Sequence, residues 1–496
     1  MNSVKKLSSK DWTLQNINDF LNTNSKIVLD KSTESIVKKQ REKLEKLLKN
    51  KSAPIYGINT GFGSLCNTFI EEKDLEKLQE NLIKSHACGI GNPIEDKIVR
   101  TLILLKVLSL SKGNSAIRIE LLQFLIDLFN KNGVPYIPEF GSLGASGDLA
   151  PLSHLSLCIL GEGKMKDGEK WIQTKAVLKK KKITPISLKA KEGLALINGT
   201  QFSLAMLYTA VIKARKLYHL SNFVSALSFE AFNGRLEAFD SSIHVLRNQV
   251  GQKLCAEEFL SYFKGSNIQT RKKQAVQDPY SFRCIPQVHG ASLDVIHYVE
   301  SIVEREINSV TDNPLLVDDL IISGGNFHAQ PLALAGDFLS IAVSELGSIS
   351  ERRTYQLVSG SRDLPDFLAN NPGLESGYMI VQYAAASIAS LNKSLCSPSS
   401  VDSIISSKAQ EDHVSMAPNA MWKCIKVLDN VEQLLTLEWI VASRAIHFRN
   451  NIIFDKHLQN TLSKYRKKLP IILEDHIPQE LYADTTEFLN GVKCPF

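Results

Sequence analysis

The chain has 496 residues, of which 44% are apolar and 22% are charged. This composition is that of an ordinary globular protein and excludes disordered, collagen-like and low-complexity chains. There are 58 Lys and Arg residues against 52 Asp and Glu residues, and the resulting net charge of +6 is too small to indicate nucleic acid as a partner.

The first half of the chain carries helical patterns. Apolar residues recur every three or four positions over residues 73–88 and 96–131, as Leu75, Leu78 and Leu82 illustrate. This spacing predicts amphipathic helices. No run of residues approaches the roughly 18 to 20 apolar positions of a membrane span, so we expect no membrane partner.

Strand patterns are sparse. The clearest lies between Leu160 and Gln173, where Gly161, Gly163 and the pair Asp167-Gly168 interrupt a short mixture of polar and apolar residues. Such punctuation predicts a β-hairpin. Because strands and helices do not alternate regularly, a doubly wound α/β sheet is disfavoured.

The second half of the chain favours longer helices. Three stretches, at residues 289–309, 331–360 and 414–449, keep a helical pattern over lengths well above the mean for helices. Helices of this length indicate an elongated bundle, so the expected fold class is mainly α.

The lengths of the predicted elements change near residues 190–200, from short helices and loops to long helices. We therefore predict an N-terminal helical and loop domain over residues 1–196, and a long-helix bundle with C-terminal helices over residues 197–496. The two domains replace the estimate of about three that length alone suggests.

Glycine-rich or polar loops separate the helices and hold unusual combinations of residues. Loops mounted on rigid helices are where catalytic groups usually lie. The four loops in question are Tyr56–Gly63, Gly141–Asp148, Gln277–Arg283 and Gly324–His328.

The tripeptide Ala145-Ser146-Gly147 is the most informative of these segments. By itself it indicates a tight turn, with Asp148 as the N-cap of a following helix and Pro151 in its first turn. The same residues also permit a chemical reaction. If the Gly147 nitrogen reaches the Ala145 carbonyl carbon, the backbone can cyclise, and dehydration of Ser146 then gives an electrophilic 4-methylidene-imidazol-5-one without an external cofactor. A helix N-terminus beside it would strengthen its electron withdrawal.

Signatures of other cofactors and of metals are weak. The eight cysteines are scattered without a Cys-x-x-Cys pair, which favours reduced thiols in the cytoplasm over disulfides or a zinc site. The run Glu411-Asp412-His413 could supply metal ligands, but adjacent positions on a helix diverge, so we expect no metal.

Seven motifs together resemble the aromatic amino acid ammonia-lyases, in order and at appropriate spacing between about residues 50 and 450. The resemblance implies a mainly α fold related to fumarase and aspartase, and a homotetramer in which each active site draws loops from three subunits. The motifs are Tyr56–Gly63, Gly141–His154, Asn198–Gln201, Gln277–Arg283, Thr311–Pro314, Gly325–His328 and Gln410–His413.

The resemblance implies which residues carry the chemistry. The cyclised Ala145-Ser146-Gly147 would withdraw electrons from the substrate amine. Tyr56 would remove the β-proton as a phenolate stabilised by local positive potential, although Tyr56 taken alone is more simply a packed aromatic residue. Tyr280 would assist in proton handling.

Other positions match residues that bind substrate. Arg283 resembles the carboxylate clamp, because guanidinium matches a carboxylate with two donors. Asn198 matches the asparagine that contacts the prosthetic group and the substrate carboxylate. Gln277 and Phe327 match residues that line the pocket, although a turn residue and a core aromatic residue are plain alternatives.

Two pairs of residues favour histidine as the substrate, to give trans-urocanate and ammonia in the first step of histidine degradation. Ser85-His86 and Gln410-Glu411 match the members of the family that act on histidine, whereas phenylalanine and tyrosine enzymes carry other pairs. His86 and Glu411 can satisfy the two imidazole nitrogens, while a benzene ring would leave a buried carboxylate unpaired. A phenylalanine or tyrosine lyase, an aromatic aminomutase and a non-catalytic helical scaffold are the alternatives.

Some questions stay open at the level of the sequence. Tyr56, Tyr280 and Glu411 could share the work of the base. Either the amine or the ring of the substrate could attack the prosthetic group. The segment Glu375–Tyr378 departs from the usual pattern of the family in a region that shapes the site.

Overall fold

The computed structural model describes residues 4–7, 12–23, 25–49 and 54–494. The chain divides into two compact units, each assembled from three stretches of sequence. The first comprises Met1–Thr209, Glu300–Gly336 and Pro398–Met421, and the second Ala210–Val299, Asp337–Ser397 and Trp422–Phe496. The expected boundary between residues 196 and 197 falls inside the first unit, and the division at that point stays a prediction.

The described residues form eighteen α-helices and eight short strands, so the fold is mainly α, as predicted. The helices are α1 (Leu14–Asn22), α2 (Lys31–Lys49), α3 (Leu75–His86), α4 (Asp96–Ser111), α5 (Ile119–Asn130), α6 (Leu149–Leu157), α7 (Thr174–Lys181), α8 (Glu192–Ile197), α9 (Gln201–Phe232), α10 (Ser241–Arg247), α11 (Val250–Ser261), α12 (Tyr280–Arg283), α13 (Ile285–Ile307), α14 (Gln330–Val358), α15 (Met379–Leu395), α16 (Ala417–His447), α17 (Lys456–Lys468) and α18 (Tyr482–Asn490). Short 3₁₀ segments lie at Gly63–Leu65, Glu72–Asp74, Cys158–Leu160, Leu236–Phe239, Ser407–Ala409 and Pro478–Leu481.

The strands pair in four separate two-stranded sheets. The β1–β2 pair is parallel and the other three pairs are antiparallel. The strands are β1 (Val4–Leu7), β2 (Lys26–Leu29), β3 (Ile90–Pro93), β4 (Pro138–Phe140), β5 (Lys164–Asp167), β6 (Lys170–Gln173), β7 (Leu315–Val317) and β8 (Leu320–Ile322). The predicted hairpin is confirmed as β5 and β6, whose turn contains Gly168 at a φ of +61°, a conformation that favours glycine.

The long helices predicted in the second half are confirmed as α13, α14 and α16. The longest helix, the 32-residue α9, was not predicted as a long helix. Nearly all of its side chains are buried, so apolar and small residues occur on every face of the helix. The sequence of α9 therefore shows little of the alternation between apolar and polar faces that predicts a helix. In the first unit, the predicted helical stretch 96–131 is two helices, α4 and α5.

Three helices of the first unit position the residues of interest. Helix α6 packs against both α3 and α8. Helix α6 begins two residues after the Ala145-Ser146-Gly147 tripeptide, α3 ends at His86, and α8 ends one residue before Asn198. The packing of the three helices therefore gathers His86, the tripeptide and Asn198.

Aromatic side chains fill part of the core of the second unit. The Phe229 ring packs edge-on against those of Phe239, Phe259 and Phe263, each at a centroid distance of 5.4 Å. Phe282 belongs to the same cluster, since its ring packs edge-on against Phe229 at 6.2 Å and stacks on Phe232 at 4.2 Å. The cluster anchors α12 in the second unit.

A buried ion pair also lies in the second unit. Arg353 Nε donates to Glu438 Oε1 at 2.6 Å and Arg353 Nη2 to Glu438 Oε2 at 2.9 Å, and both side chains are 0% exposed. Removing one partner leaves the other charge buried and unpaired. We expect Glu438→Gln to lower the free energy of unfolding by about 3–5 kcal/mol. Urea denaturation would measure this loss of stability. The control Glu487→Gln breaks an exposed pair with Lys468 and should leave the midpoint of urea denaturation unchanged.

One helix among the described residues, α14, is long and apolar enough to cross a membrane by length and composition. The sequence predicted this helix but no apolar run of membrane length within it, because polar residues such as Asp337 and Glu345 interrupt its apolar runs. Of the most apolar 18-residue stretch of α14, 67% is buried inside the protein. The apolar character of α14 is therefore that of a core helix.

Candidate functional site

The Ala145-Ser146-Gly147 turn is held tightly against a second turn of the first unit, Asn198-Gly199-Thr200. Gly147 has a φ of +76°, and a Cβ atom added to it would lie 2.3 Å from the Gly199 carbonyl oxygen. Asp148 N donates to the same oxygen at 2.8 Å. Glycine at 147 is therefore required both by the backbone angle and by the close approach of the two turns.

Ser146 is held at both its side chain and its carbonyl group. Its Oγ donates to Glu411 Oε1 at 2.8 Å, and its carbonyl oxygen accepts a hydrogen bond from Asn198 Nδ2 at 2.6 Å. Asn198 Oδ1 is buried and has no hydrogen-bond partner among the described residues. A small Ala145, an unshielded nitrogen at Gly147 and a polarised Ser146 carbonyl together fit the formation of the methylidene-imidazolone group.

Asp148 does not cap helix α6 with its side chain, contrary to the expectation from the sequence. Its carboxylate accepts hydrogen bonds from Ser203 N and Ser203 Oγ, both at 2.8 Å, and so satisfies the start of α9 instead. Burial raises the pKa of Asp148 to about 6, and the Ser203 hydrogen bonds oppose that rise. The residue fastens the tripeptide to α9.

The raised pKa gives a test by pH. A buried carboxyl whose folded pKa exceeds its unfolded value stabilises the fold below about pH 4, and this contribution is lost as the pH rises through about 6. We expect the wild-type protein to lose stability relative to Asp148→Asn over this interval. Thermal unfolding midpoints of both proteins across the interval would measure the difference, and parallel pH curves would contradict the prediction.

Two cavities of the first unit meet at the tripeptide. The larger one is about 560 Å³ and the smaller about 270 Å³. Tyr56, Gly63, Ser146 and Glu411 line both. His86 and Asn198 line the larger cavity, and Ala145, Phe327, His328 and His413 line the smaller one.

His86 offers a hydrogen-bond acceptor to the larger cavity. Burial lowers the pKa of its imidazole, while the Leu82 carbonyl and Glu411 act in the opposite direction. His86 Nδ1 lies 2.9 Å from the Leu82 carbonyl oxygen, which can only accept, so we place the proton on Nδ1. A neutral ring protonated at Nδ1 has Nε2 as its acceptor.

The environment of Tyr56 differs from the expectation of a stabilised phenolate. Burial raises the pKa of its phenol, a hydrogen bond from Gly63 N lowers it, and Cys66 and Glu411 raise it further. None of the causes that act on Tyr56 among the described residues of the first unit is a positive charge that could ionise it. Its role as the base stays a prediction.

Three of the predicted site residues belong to the second unit. Gln277 and Tyr280 are exposed, the latter at 70%, and Arg283 is half-buried. Asp278 and Phe282, which lie between them in the sequence, are buried in the unit. None of the three lines either cavity of the first unit.

The turn that carries these residues is firmly held within the second unit. Asp278 Oδ1 accepts from Arg362 Nη2 at 2.8 Å, and Asp278 Oδ2 accepts from Arg235 N at 2.6 Å. Arg283 Nε donates to the Asp278 carbonyl oxygen at 3.0 Å, and the guanidinium lies 4.4 Å above the Tyr280 ring. Arg283 and Tyr280 are thus presented side by side.

Sequence reasoning missed several residues at the site. Lys106, from helix α4, lies behind the turn at Asn198 and donates to its carbonyl oxygen at 3.0 Å. A single lysine within the apolar run of residues 102–110 was the pattern that could have indicated it. His328 and His413 were part of recognised motifs but were given no role.

A family model for aromatic amino acid lyases matches residues 12–467 of the chain. The chain belongs to the aromatic amino acid lyase family. This lyase is 43% identical over 494 residues to histidine ammonia-lyase from Geobacillus sp. (strain WCH70), covering 99% of this chain and 97% of the relative. Membership of the family implies its self-made prosthetic group.

Solved structures agree with the family assignment. The crystal structure of histidine ammonia-lyase from Trypanosoma cruzi matches this lyase with a TM-score of 0.90 and 38% identity, over 98% of this chain and 93% of the other. The ergothionase of Treponema denticola matches with a TM-score of 0.94 and 27% identity, over 98% and 99% of the two chains. The family fold therefore extends over nearly all of this lyase.

Proposed function

We propose that this lyase catalyses the non-oxidative deamination of L-histidine to trans-urocanate and ammonia, the first step of histidine degradation. The observation that carries the proposal is the hydrogen bond between Ser146 Oγ and Glu411 Oε1, in the cavity that His86 also lines. Dehydration of Ser146 removes Oγ, so Glu411 loses that donor. The reaction that makes the electrophile thus also frees a carboxylate oxygen beside it.

The prosthetic group is a 4-methylidene-imidazol-5-one formed from Ala145-Ser146-Gly147, with no external cofactor. Once formed, it supplies an electrophilic carbon that bonds covalently to the substrate and makes ammonia a better leaving group. Asn198 Nδ2 holds the Ser146 carbonyl oxygen. The start of helix α6 lies two residues after the tripeptide and favours negative charge there.

Histidine recognition follows from two acceptors that share one cavity. The freed Glu411 Oε1 and the Nε2 of neutral His86 can accept the two N–H groups of an imidazolium, and either one can accept the single N–H of a neutral imidazole. Glu411 Oε2 stays bonded to Ser406 Oγ at 2.8 Å, which fixes the carboxylate. A benzene ring would leave these acceptors without donors, so this pair of residues favours histidine over phenylalanine.

We assign the remaining roles from the matching motifs. Arg283 binds the substrate carboxylate, Gln277 and Phe327 line the pocket, and Tyr280 assists in proton transfer. Tyr56 lies at the junction of both cavities and is the proposed base. The exposure of Tyr280 supports a site completed by other copies of the chain.

We further propose that the enzyme is a homotetramer whose active sites are shared between subunits. Large apolar side chains on the long helices of the second unit are exposed, which supports burial by a second copy. They include Tyr298, Phe338, Ile341, Ile380 and Tyr383. The free state of all eight cysteines supports a cytoplasmic location.

Incubation of the purified protein with histidine, phenylalanine and tyrosine separately tests the proposed function. We expect the ultraviolet absorbance of urocanate to appear with histidine, and no absorbance of a cinnamate-type product with the other two. A cinnamate-type product without urocanate would assign a phenylalanine or tyrosine lyase, and a β-amino acid product would assign an aminomutase. Intact mass of the same sample should be lower than the sequence mass by two water molecules.

A further inference from the structure

Lys106 is a charged residue inside an apolar helix. It lies near the middle of α4, among the buried side chains Leu104, Leu105, Val107 and Leu108, and it is 1% exposed. Burial lowers the pKa of its amine to about 7, an effect that Lys191 reinforces and Asp312 and Asp148 oppose. An apolar side chain at this position would avoid the cost of burying the amine.

The hydrogen bonds of Lys106 go to neutral oxygens. Its Nζ donates to the Asn198 carbonyl oxygen at 3.0 Å and to Gln201 Oε1 at 3.2 Å. The nearby carboxylates have other donors, since Asp312 accepts from Lys191 Nζ at 3.0 Å and Asp148 accepts from Ser203. Neutralising a buried carboxylate therefore does not account for Lys106.

The two acceptors of Lys106, Asn198 and Gln201, flank Gly199 and Thr200 of the turn that holds the tripeptide. Between them lie the contacts already described, from Asn198 Nδ2 to the Ser146 carbonyl oxygen and from Asp148 N to the Gly199 carbonyl oxygen. The Lys106 amine thus fixes the main chain of Asn198, whose side chain in turn holds Ser146. One residue separates the lysine from the atoms that react.

We propose that Lys106 is a positioning residue for formation of the prosthetic group, because it holds Asn198 in place to donate to the Ser146 carbonyl oxygen. This inference rests on the proposed function. It assigns to Lys106 a role in making the group and no contact with the substrate.

Formation of the group involves two dehydrations and no oxidant. A bond forms between the Gly147 nitrogen and the Ala145 carbonyl carbon, and the Ala145 oxygen leaves as water with the amide hydrogens of Ser146 and Gly147. Ser146 then loses its Cα proton to solvent, its hydroxyl group takes one proton from solvent and leaves as the second water, and the Cα–H electron pair becomes the Cα=Cβ bond. Loss of the Cα proton places negative charge on the Ser146 carbonyl oxygen, which the Asn198 Nδ2 donor stabilises.

The test measures the extent of cyclisation by intact mass in freshly purified full-length protein. In Lys106→Met, an unbranched side chain without donors, we expect the fraction of chains lighter by two waters to fall at least about tenfold. We expect kcat per chain to fall in proportion and the KM for histidine to stay within about twofold, because Lys106 does not contact the substrate. Lys106→Arg keeps donors and charge and should restore most of the cyclised fraction.

Lys191→Met is the matched control. It removes another buried lysine of the same unit, one that donates to Asp312. We expect it to lower stability and leave cyclisation complete. Full cyclisation of Lys106→Met, or equal losses in both Met variants, would overturn the inference. If Lys106→Met fails to fold, Asn198→Ala replaces it, and full cyclisation of that variant would overturn the inference equally. Wild-type protein of unshifted mass would instead overturn the proposed function.

Discussion

Replacing Ser146 with alanine is expected to lower the turnover of histidine by at least about a thousandfold, because the electrophile can no longer form. Alanine has no hydroxyl group to lose, so the methylidene carbon is never made. The fold should persist, since Ser146 is a partly exposed turn residue whose side chain makes one hydrogen bond, to Glu411. Turnover followed by urocanate absorbance, together with intact mass, measures both effects.

Ser153→Ala is the control for this substitution. Ser153 lies in the adjoining helix α6, is fully buried, and its Oγ has no hydrogen-bond partner among the described residues. The variant should keep the rate and the mass shift of the wild-type protein. A Ser146→Ala enzyme that retained the wild-type rate would refute the mechanism, whatever its mass.

The sequence predicted the parts of the site in which chemistry dictates the residue types. Ala145, Ser146 and Gly147 each have a steric or chemical requirement, and the structure adds the close approach of Gly199, which excludes any side chain at 147. The pairing of His86 with Glu411 rested on the two nitrogens of imidazole, and both residues line one cavity. Both predictions rest on residue types that the chemistry requires.

Contacts between distant segments could not be predicted from one sequence. Asp148 precedes a helix and has the residue type of an N-cap, yet its carboxylate bonds to Ser203, 55 residues away. In the sequence, Lys106 is a charged residue within an apolar helix, and no pattern identifies its partner. The structure shows that its amine donates to the carbonyl oxygen of Asn198. Periodicity locates an element but does not identify the elements that pack on it.

The direction in which the pKa of Tyr56 is shifted could not be predicted from the sequence either. A pKa depends on burial and on the charges that surround the group in space. The sequence suggested that positively charged groups lie beside Tyr56. In the structure, burial and the negative charge of Glu411 both favour the neutral phenol. Arg283, which the sequence suggested as a source of positive potential, belongs to the second unit.

Glu411→Gln is expected to reduce kcat/KM for histidine by about one to two orders of magnitude, the value of one charge-assisted hydrogen bond. The amide has one acceptor oxygen where the carboxylate has two, and it can present an N–H group to the imidazole instead. No cinnamate-type product is expected from phenylalanine with either protein, so the loss is measured on histidine. Rates of urocanate formation over a range of histidine concentrations give kcat/KM for both proteins.

Because Glu411 also accepts from Ser146 Oγ, a loss of activity in Glu411→Gln could arise before the substrate binds. Intact mass separates the two causes, since a cyclised but slow variant has lost substrate recognition, whereas an unshifted mass indicates failed maturation. Asp412→Asn makes the same change of charge at the next residue, which lines the smaller cavity, and should keep the rate with histidine. Equal losses in both variants would mean that the charge of the loop matters, and that the position of the Glu411 carboxylate does not.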